Sequence, residues 1–107
     1  MRVAADTHVP KRAIEALKKF GHEVVTIALD AHDEMWLNEA HSKRADIYIS
    51  ADYDVENFAL NKSKSYIRLP QGLASGLLTD FIVQRVNAAQ KIRDLYKEYP
   101  EVIVCRS

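Results

Sequence analysis

The chain has 107 residues, of which 48% are apolar and 28% charged, and its Lys/Arg and Asp/Glu counts balance. That length suits one domain with one core, residues 1–107, and the composition excludes a disordered or fibrous chain. The apolar runs fall far short of the roughly 18 residues of a transmembrane helix, and the N-terminus lacks a basic-then-apolar leader, so a cytoplasmic protein that does not enter a membrane is expected.

The balanced charge is unevenly distributed. Residues 1–60 carry seven Lys/Arg against eleven Asp/Glu, and residues 61–107 carry eight against four. Such asymmetry suits a chain that holds a cation with its first half and a polyanion with its second; a solvated basic helix face accounts for it equally well.

Arg2-Val3-Ala4-Ala5 opens the chain as a short buried strand that stops at Asp6. Pro10 then suits a first helical position, Ile14, Leu17 and Phe20 recur at helical spacing, and Gly21 stops the helix. His22–Ile27 is rich in β-branched residues and predicts a strand, followed by the polar turn Asp30-Ala31-His32-Asp33. Asp33 or its neighbour caps a second helix that turns Trp36, Leu37 and Ala40 to the core. Lys43 and Arg44 near its end favour the negative end of its dipole.

Ile47-Tyr48-Ile49-Ser50-Ala51 is the third strand, and it runs into Asp52 with Asp54 two residues on. A brief helix from Val55 to about Leu60 leads to the strand Tyr66–Leu69, which Pro70-Gln71-Gly72 ends. Leu77, Leu78, Phe81, Ile82, Val86, Ala89, Ile92 and Leu95 mark a long amphipathic helix, and Val102–Cys105 closes the chain as a strand. The lone Cys105 cannot form an internal disulfide and is expected as a buried small hydrophobe. This alternation predicts an α/β fold, a three-layer α/β/α domain with a mostly parallel central sheet and right-handed crossovers. In a 2-1-3-4 strand order, strands one and three flank the point where the order reverses, and ligands bind beyond their carboxyl ends.

Asp6 and Asp52 mark that crevice. Parallel neighbours lie about 4.8 Å apart, so acids at their carboxyl ends converge; crowded carboxylates repel unless a cation separates them, and hard oxygen ligands suit Mg²⁺ or Mn²⁺. Two or three such acids can fix a divalent ion that activates water toward a phosphodiester, with no side-chain nucleophile needed. The chain offers no nucleophile elbow, phosphate-binding Walker loop or CxxC pair. Lys62, Lys64 and Arg68, taken to flank the strand beside the acids, are candidate RNA phosphate contacts. Tyr53 is a candidate base-stacking residue, and His8 a candidate accessory residue that orients phosphate or water. The other histidines form no i, i+4 metal pair and are expected as polar or capping residues.

Asp6-Thr7-His8-Val9-Pro10, Gly21-His22-Glu23-Val24, Asp33-Glu34 and Ser50-Ala51-Asp52-Tyr53-Asp54 together resemble the small PIN-like nuclease domains, relatives of the PIN ribonuclease toxins, over residues 1 to about 70. The resemblance implies a PIN-like sheet and an Mg²⁺- or Mn²⁺-dependent ribonuclease, a toxin with a protein antitoxin as partner and RNA as substrate; a homo-oligomer is compatible with it. It assigns the metal-binding acids as Asp6, Asp33 or Glu34, and the pair Asp52 and Asp54, with Asp6, Asp52 and Asp54 catalytic. The chain departs from the family pattern at Thr7, Ala51 and Val55, where an acidic, a basic and an aromatic residue are usual.

Each acid also has a structural reading: Asp33 and Asp54 stand where helix N-caps belong, and Asp6 can organise the turn after its strand. A catalytically silent PIN-like module that binds protein or RNA is therefore the alternative. Asp52-Tyr53-Asp54-Val55 also resembles the signature of haloacid-dehalogenase-type phosphatases, but that signature normally follows the first strand. A receiver-type phospho-switch fits worse, since it wants paired acids after strand one and a lysine near the last strand's end.

Overall fold

Short strands alternating with helices assemble, in a computed structural model, into one sheet between two helical layers. The structure describes residues 1–26, 33–96 and 103–104. In chain order the elements are β1 (Arg2–Ala5), α1 (Lys11–Lys19), β2 (Glu23–Thr26), α2 (Asp33–Ser42), β3 (Ile47–Ser50), α3 (Tyr53–Asn61), β4 (Ser65–Arg68), α4 (Ser75–Tyr96) and β5 (Ile103–Val104). The expected Cys105, Pro100 and the turn at residues 30–32 lie outside the described residues.

The sheet order is β2-β1-β3-β4-β5, with every pairing parallel. Successive side chains on a strand face opposite ways, so the central strands supply two cores. Val3, Ala5, Ile47, Ile49 and Ile67 pack under Ala13 and Leu17 of α1 and Ile82, Val86 and Ala89 of α4. Ala4, Tyr48 and Tyr66 pack under Trp36, Leu37 and Ala40 of α2 and Val55 and Ala59 of α3. On that second face Tyr48 meets Trp36 and Phe58 edge-on, at centroid separations of 6.4 and 5.9 Å. The three-layer α/β/α architecture expected from the alternation is the one observed.

Three helices end the same way at the sheet's amino edge. After α1, Gly21 takes φ 88° while its N–H donates to the Lys18 carbonyl and that of His22 to the Leu17 carbonyl, the two bonds of a Schellman turn. Arg44 (φ 61°) after α2 and Ser63 (φ 56°) after α3 repeat it, with Ala45 donating to Ala40 and Lys64 to Ala59. Opposite-sign groups brace the same edge: the buried Asp46 carboxylate accepts from the Arg2 backbone N–H at 2.8 Å and pairs with Arg93 of α4 at 3.2 Å.

Some expected details differ. Pro10 is the N-cap of α1, with φ −59° and ψ 141°, rather than its first helical residue. Phe20 is 62% exposed, as the C-cap residue that ends α1. α3 starts two residues before Val55. Leu77, Ile92 and Leu95 lie on the solvent side of α4 although they share its apolar periodicity. Among the described residues no helix is long and apolar enough to cross a membrane.

Candidate functional site

The strand order reverses between β1 and β3, which are hydrogen-bonded neighbours. Asp6 follows β1 directly, and its N–H donates to the Ile49 carbonyl at 3.2 Å, so it is still held by β3. Its Oδ1 accepts from the His8 N–H at 2.7 Å, closing the turn that leads into α1. Oδ2 lies 3.5 Å from His8 Nδ1; the carboxylate is mostly covered and the His8 ring mostly exposed.

Asp52, two residues after β3, stands at the same carboxyl edge. It is the N-cap of α3: its backbone is extended and its Oδ1 accepts from the Asp54 N–H at 2.9 Å. The cap expected at Asp54 therefore belongs to Asp52, and Asp54 sits in the first turn, where its charge complements the helix's positive end. One oxygen of each strand-end acid is thus committed to the backbone.

A buried hydroxyl network holds the Asp52 loop from below. The Tyr66 hydroxyl donates to the Ser50 carbonyl at 2.9 Å and approaches the Asp52 carbonyl at 3.2 Å. Ser50 Oγ lies 3.0 Å from that hydroxyl and accepts from the Asp52 N–H at 3.1 Å. Tyr66 has a single proton, which it shares between the two carbonyls, so the Ser50 hydroxyl is the donor in their mutual bond. Burial pushes the Tyr66 phenol up, with Glu56 and Asp6 adding and Ser50 and Arg68 opposing, so it stays protonated at neutral pH. Sequence reasoning missed Ser50, Tyr66 and Glu56 as parts of this edge. A serine closing an otherwise apolar strand was the one available signal.

Arg68 ends β4 in register with Ser50, beside the Asp52 loop. Its guanidinium pairs with Glu56 at 2.5 Å and lies 5.2 Å from the centroid of the Tyr53 ring, which is itself 69% exposed. The hydrogen bond to Glu56 holds the guanidinium still further above its ordinary pKa. Arg68 and Tyr53 therefore form one surface next to the acids.

Lys62 and Lys64 do not share that surface. Lys62 is the C-cap of α3, with its ammonium 5.6 Å from the Phe58 ring centroid, and Lys64 immediately precedes β4. Both sit at the sheet's amino edge, one strand length or about 13 Å from the acids. The expectation that they flank the acidic crevice is corrected by the direction of the strand they precede. Lys64 instead lines a polar cavity of about 550 Å³ together with Arg2, Glu23, Arg44, Asp46 and Arg93. Three helix C-termini end at this edge, and its cations offset their negative dipole ends.

For a divalent ion, the two strand-end carboxylates offer hard oxygens of the kind Mg²⁺ and Mn²⁺ take. Among the described residues no three His, Cys, Asp or Glu side chains are gathered as a metal-binding group, so Asp54 does not complete a triad with Asp6 and Asp52. Asp33 opens α2, and the side chains of Asp33 and Glu34 lie outside the described set. Comparison with protein families, curated proteins and solved structures finds no match to the chain.

Proposed function

We propose that the protein is an Mg²⁺- or Mn²⁺-dependent endoribonuclease of the PIN-like kind, acting in the cytoplasm as a toxin restrained by a protein antitoxin. The observation that carries this reading is the placement of Asp6 and Asp52 just beyond the carboxyl ends of adjacent parallel strands, where the strand order reverses. Asp6 and Asp52 would hold the ion, Asp33 or Glu34 would add a carboxylate, and Asp54 would orient the attacking water. When bound, the ion lowers the pKa of a water and neutralises charge on the attacked phosphodiester. Arg68 offers a cation to the RNA backbone and Tyr53 an exposed ring to a base, both beside the acids.

Water attacking phosphorus and expelling the ribose 3′-oxygen leaves 5′-phosphate and 3′-hydroxyl ends, with no part for the 2′-oxygen. The test is incubation of single-stranded RNA with Mn²⁺, with and without chelator, followed by analysis of the ends. Chelator-sensitive cleavage giving 5′-phosphates supports the proposal; 2′,3′-cyclic phosphate or chelator-resistant cleavage contradicts it. A binding-only module is the second reading, favoured by the commitment of Oδ1 of both Asp6 and Asp52 to backbone N–H groups. Association with RNA or protein without cleavage in Mn²⁺ would select it.

A further inference from the structure

α4 carries two stripes on opposite sides. The inner one, Thr79, Ile82, Val86 and Ala89, is buried. On the outer side Leu77 and Leu95 are 61% and 76% exposed and Ile92 38%. Gln84 and Ala88 are exposed between them, and Phe81 is half-buried. At 3.6 residues per turn, Leu77 and Leu95 fall on one line about five turns, or roughly 27 Å, apart. Gln84 and Ala88 lie close to that line. Phe81 and Ile92 fall on one flank of it, and Asp80 and Lys91 on the other.

We propose that this outer face of α4 docks on the same face of a second copy of the chain, antiparallel about a two-fold axis passing near Val86. Such an axis keeps each flank on its own side and pairs positions mirrored about residue 86 to within one residue, about 1.5 Å along the helix. Leu77 then meets Leu95 of the second copy, Phe81 meets Ile92, and Gln84 meets the small Ala88, each contact made twice. On the other flank Asp80 comes opposite Lys91 of the second copy, so the stripe's charges are matched by the operation that matches its apolar residues. Arg85, whose guanidinium lies 4.8 Å from the Phe81 ring centroid, rims the patch. A parallel pairing would instead swap the flanks and set the charged Asp80 and Lys91 against the apolar Phe81 and Ile92 of the second copy. A lipid surface would leave Asp80 and Lys91 without the opposite charges that a second copy supplies.

Sedimentation equilibrium of the full chain from about 1 μM to about 1 mM tests this. The wild type should dimerise within that range, and Leu77→Glu or Leu95→Glu should weaken association at least about tenfold with unchanged circular dichroism, both side chains being exposed. Asp80→Lys and Lys91→Asp should each weaken the dimer, and the double variant should restore it to within about threefold of wild type. A chain monomeric throughout, a dimer indifferent to the leucine changes, or a double variant no better than either single overturns the proposal.

Discussion

The Tyr66 hydroxyl donates to the Ser50 carbonyl at 2.9 Å, tying β4 to the last residue of β3 just before the chain turns to Asp52. Removing it in Tyr66→Phe leaves the Ser50 carbonyl with the Leu69 N–H as its donor and takes the Tyr66 partner from the Ser50 hydroxyl, which should cost about 1 kcal/mol in urea unfolding. Ser50→Ala breaks the same network, so the double variant should cost clearly less than the two singles together. Strict additivity would mean that the hydroxyls do not act as a unit.

The neighbouring Tyr48 behaves oppositely. Its hydroxyl is buried among the described residues without a hydrogen-bond partner, and burial, with the Asp46 charge adding, pushes its pKa from 10.0 up to about 12. Tyr48→Phe should therefore leave stability at neutral pH unchanged or raise it by about 1 kcal/mol. The unfolded chain releases this proton near pH 10 and the folded chain only near 12, so its stabilising contribution is complete below pH 10 and is lost as pH rises through that window. Tyr48→Phe should lessen the alkaline loss of stability. An equally steep loss in the variant would contradict the assignment.

Arg44 and Ser63 hold the left-handed backbone that glycine adopts at no steric cost, and Gly21 fills the equivalent place after α1. Arg44→Gly and Ser63→Gly should each stabilise by about 0.5–1 kcal/mol, and Gly21→Ala should destabilise by about 1 kcal/mol. A Cβ at Gly21 would meet nothing within 4 Å, so that cost would come from backbone conformation alone. Thermal unfolding of the three variants reads the signs directly.

The two edges of the sheet separate the cations. Arg68→Ala should lower the slope of log K against log salt for single-stranded RNA by about one if, as proposed, its guanidinium meets a phosphate beside the acids. Lys62→Ala/Lys64→Ala, at the far edge, should leave that slope as in the wild type. Equal reductions in both variants would put RNA across the amino edge as well.

The parallel three-layer fold was legible because β1 and β3 are short, largely apolar runs, β4 holds Tyr66 and Ile67 between turn residues, and Trp36, Leu37 and Ala40 keep helical spacing. The placement of Asp6 and Asp52 on one edge followed from parallel neighbours alone. The edge taken by Lys62 and Lys64 was misjudged, since residues preceding a strand lie at its amino end however near they stand to Arg68 in sequence. The Tyr66–Ser50 bond was invisible because the partners are sixteen residues apart on adjacent strands. The outer stripe of α4 was hidden for a different reason: Leu77, Ile92 and Leu95 satisfy the same apolar list as the buried Ile82 and Val86, and only the angular position around the helix separates them.

Calorimetric titration of Mn²⁺ into the wild type, Asp6→Asn and Asp52→Asn tests the central claim most directly. Each substitution preserves shape and removes one negative charge at the point where the strand order reverses. The account predicts one competent site in the wild type and at least a tenfold loss of affinity, about 1.4 kcal/mol, in each variant with thermal unfolding otherwise little changed. Mn²⁺ binding undiminished in Asp6→Asn and Asp52→Asn would contradict a metal site between β1 and β3.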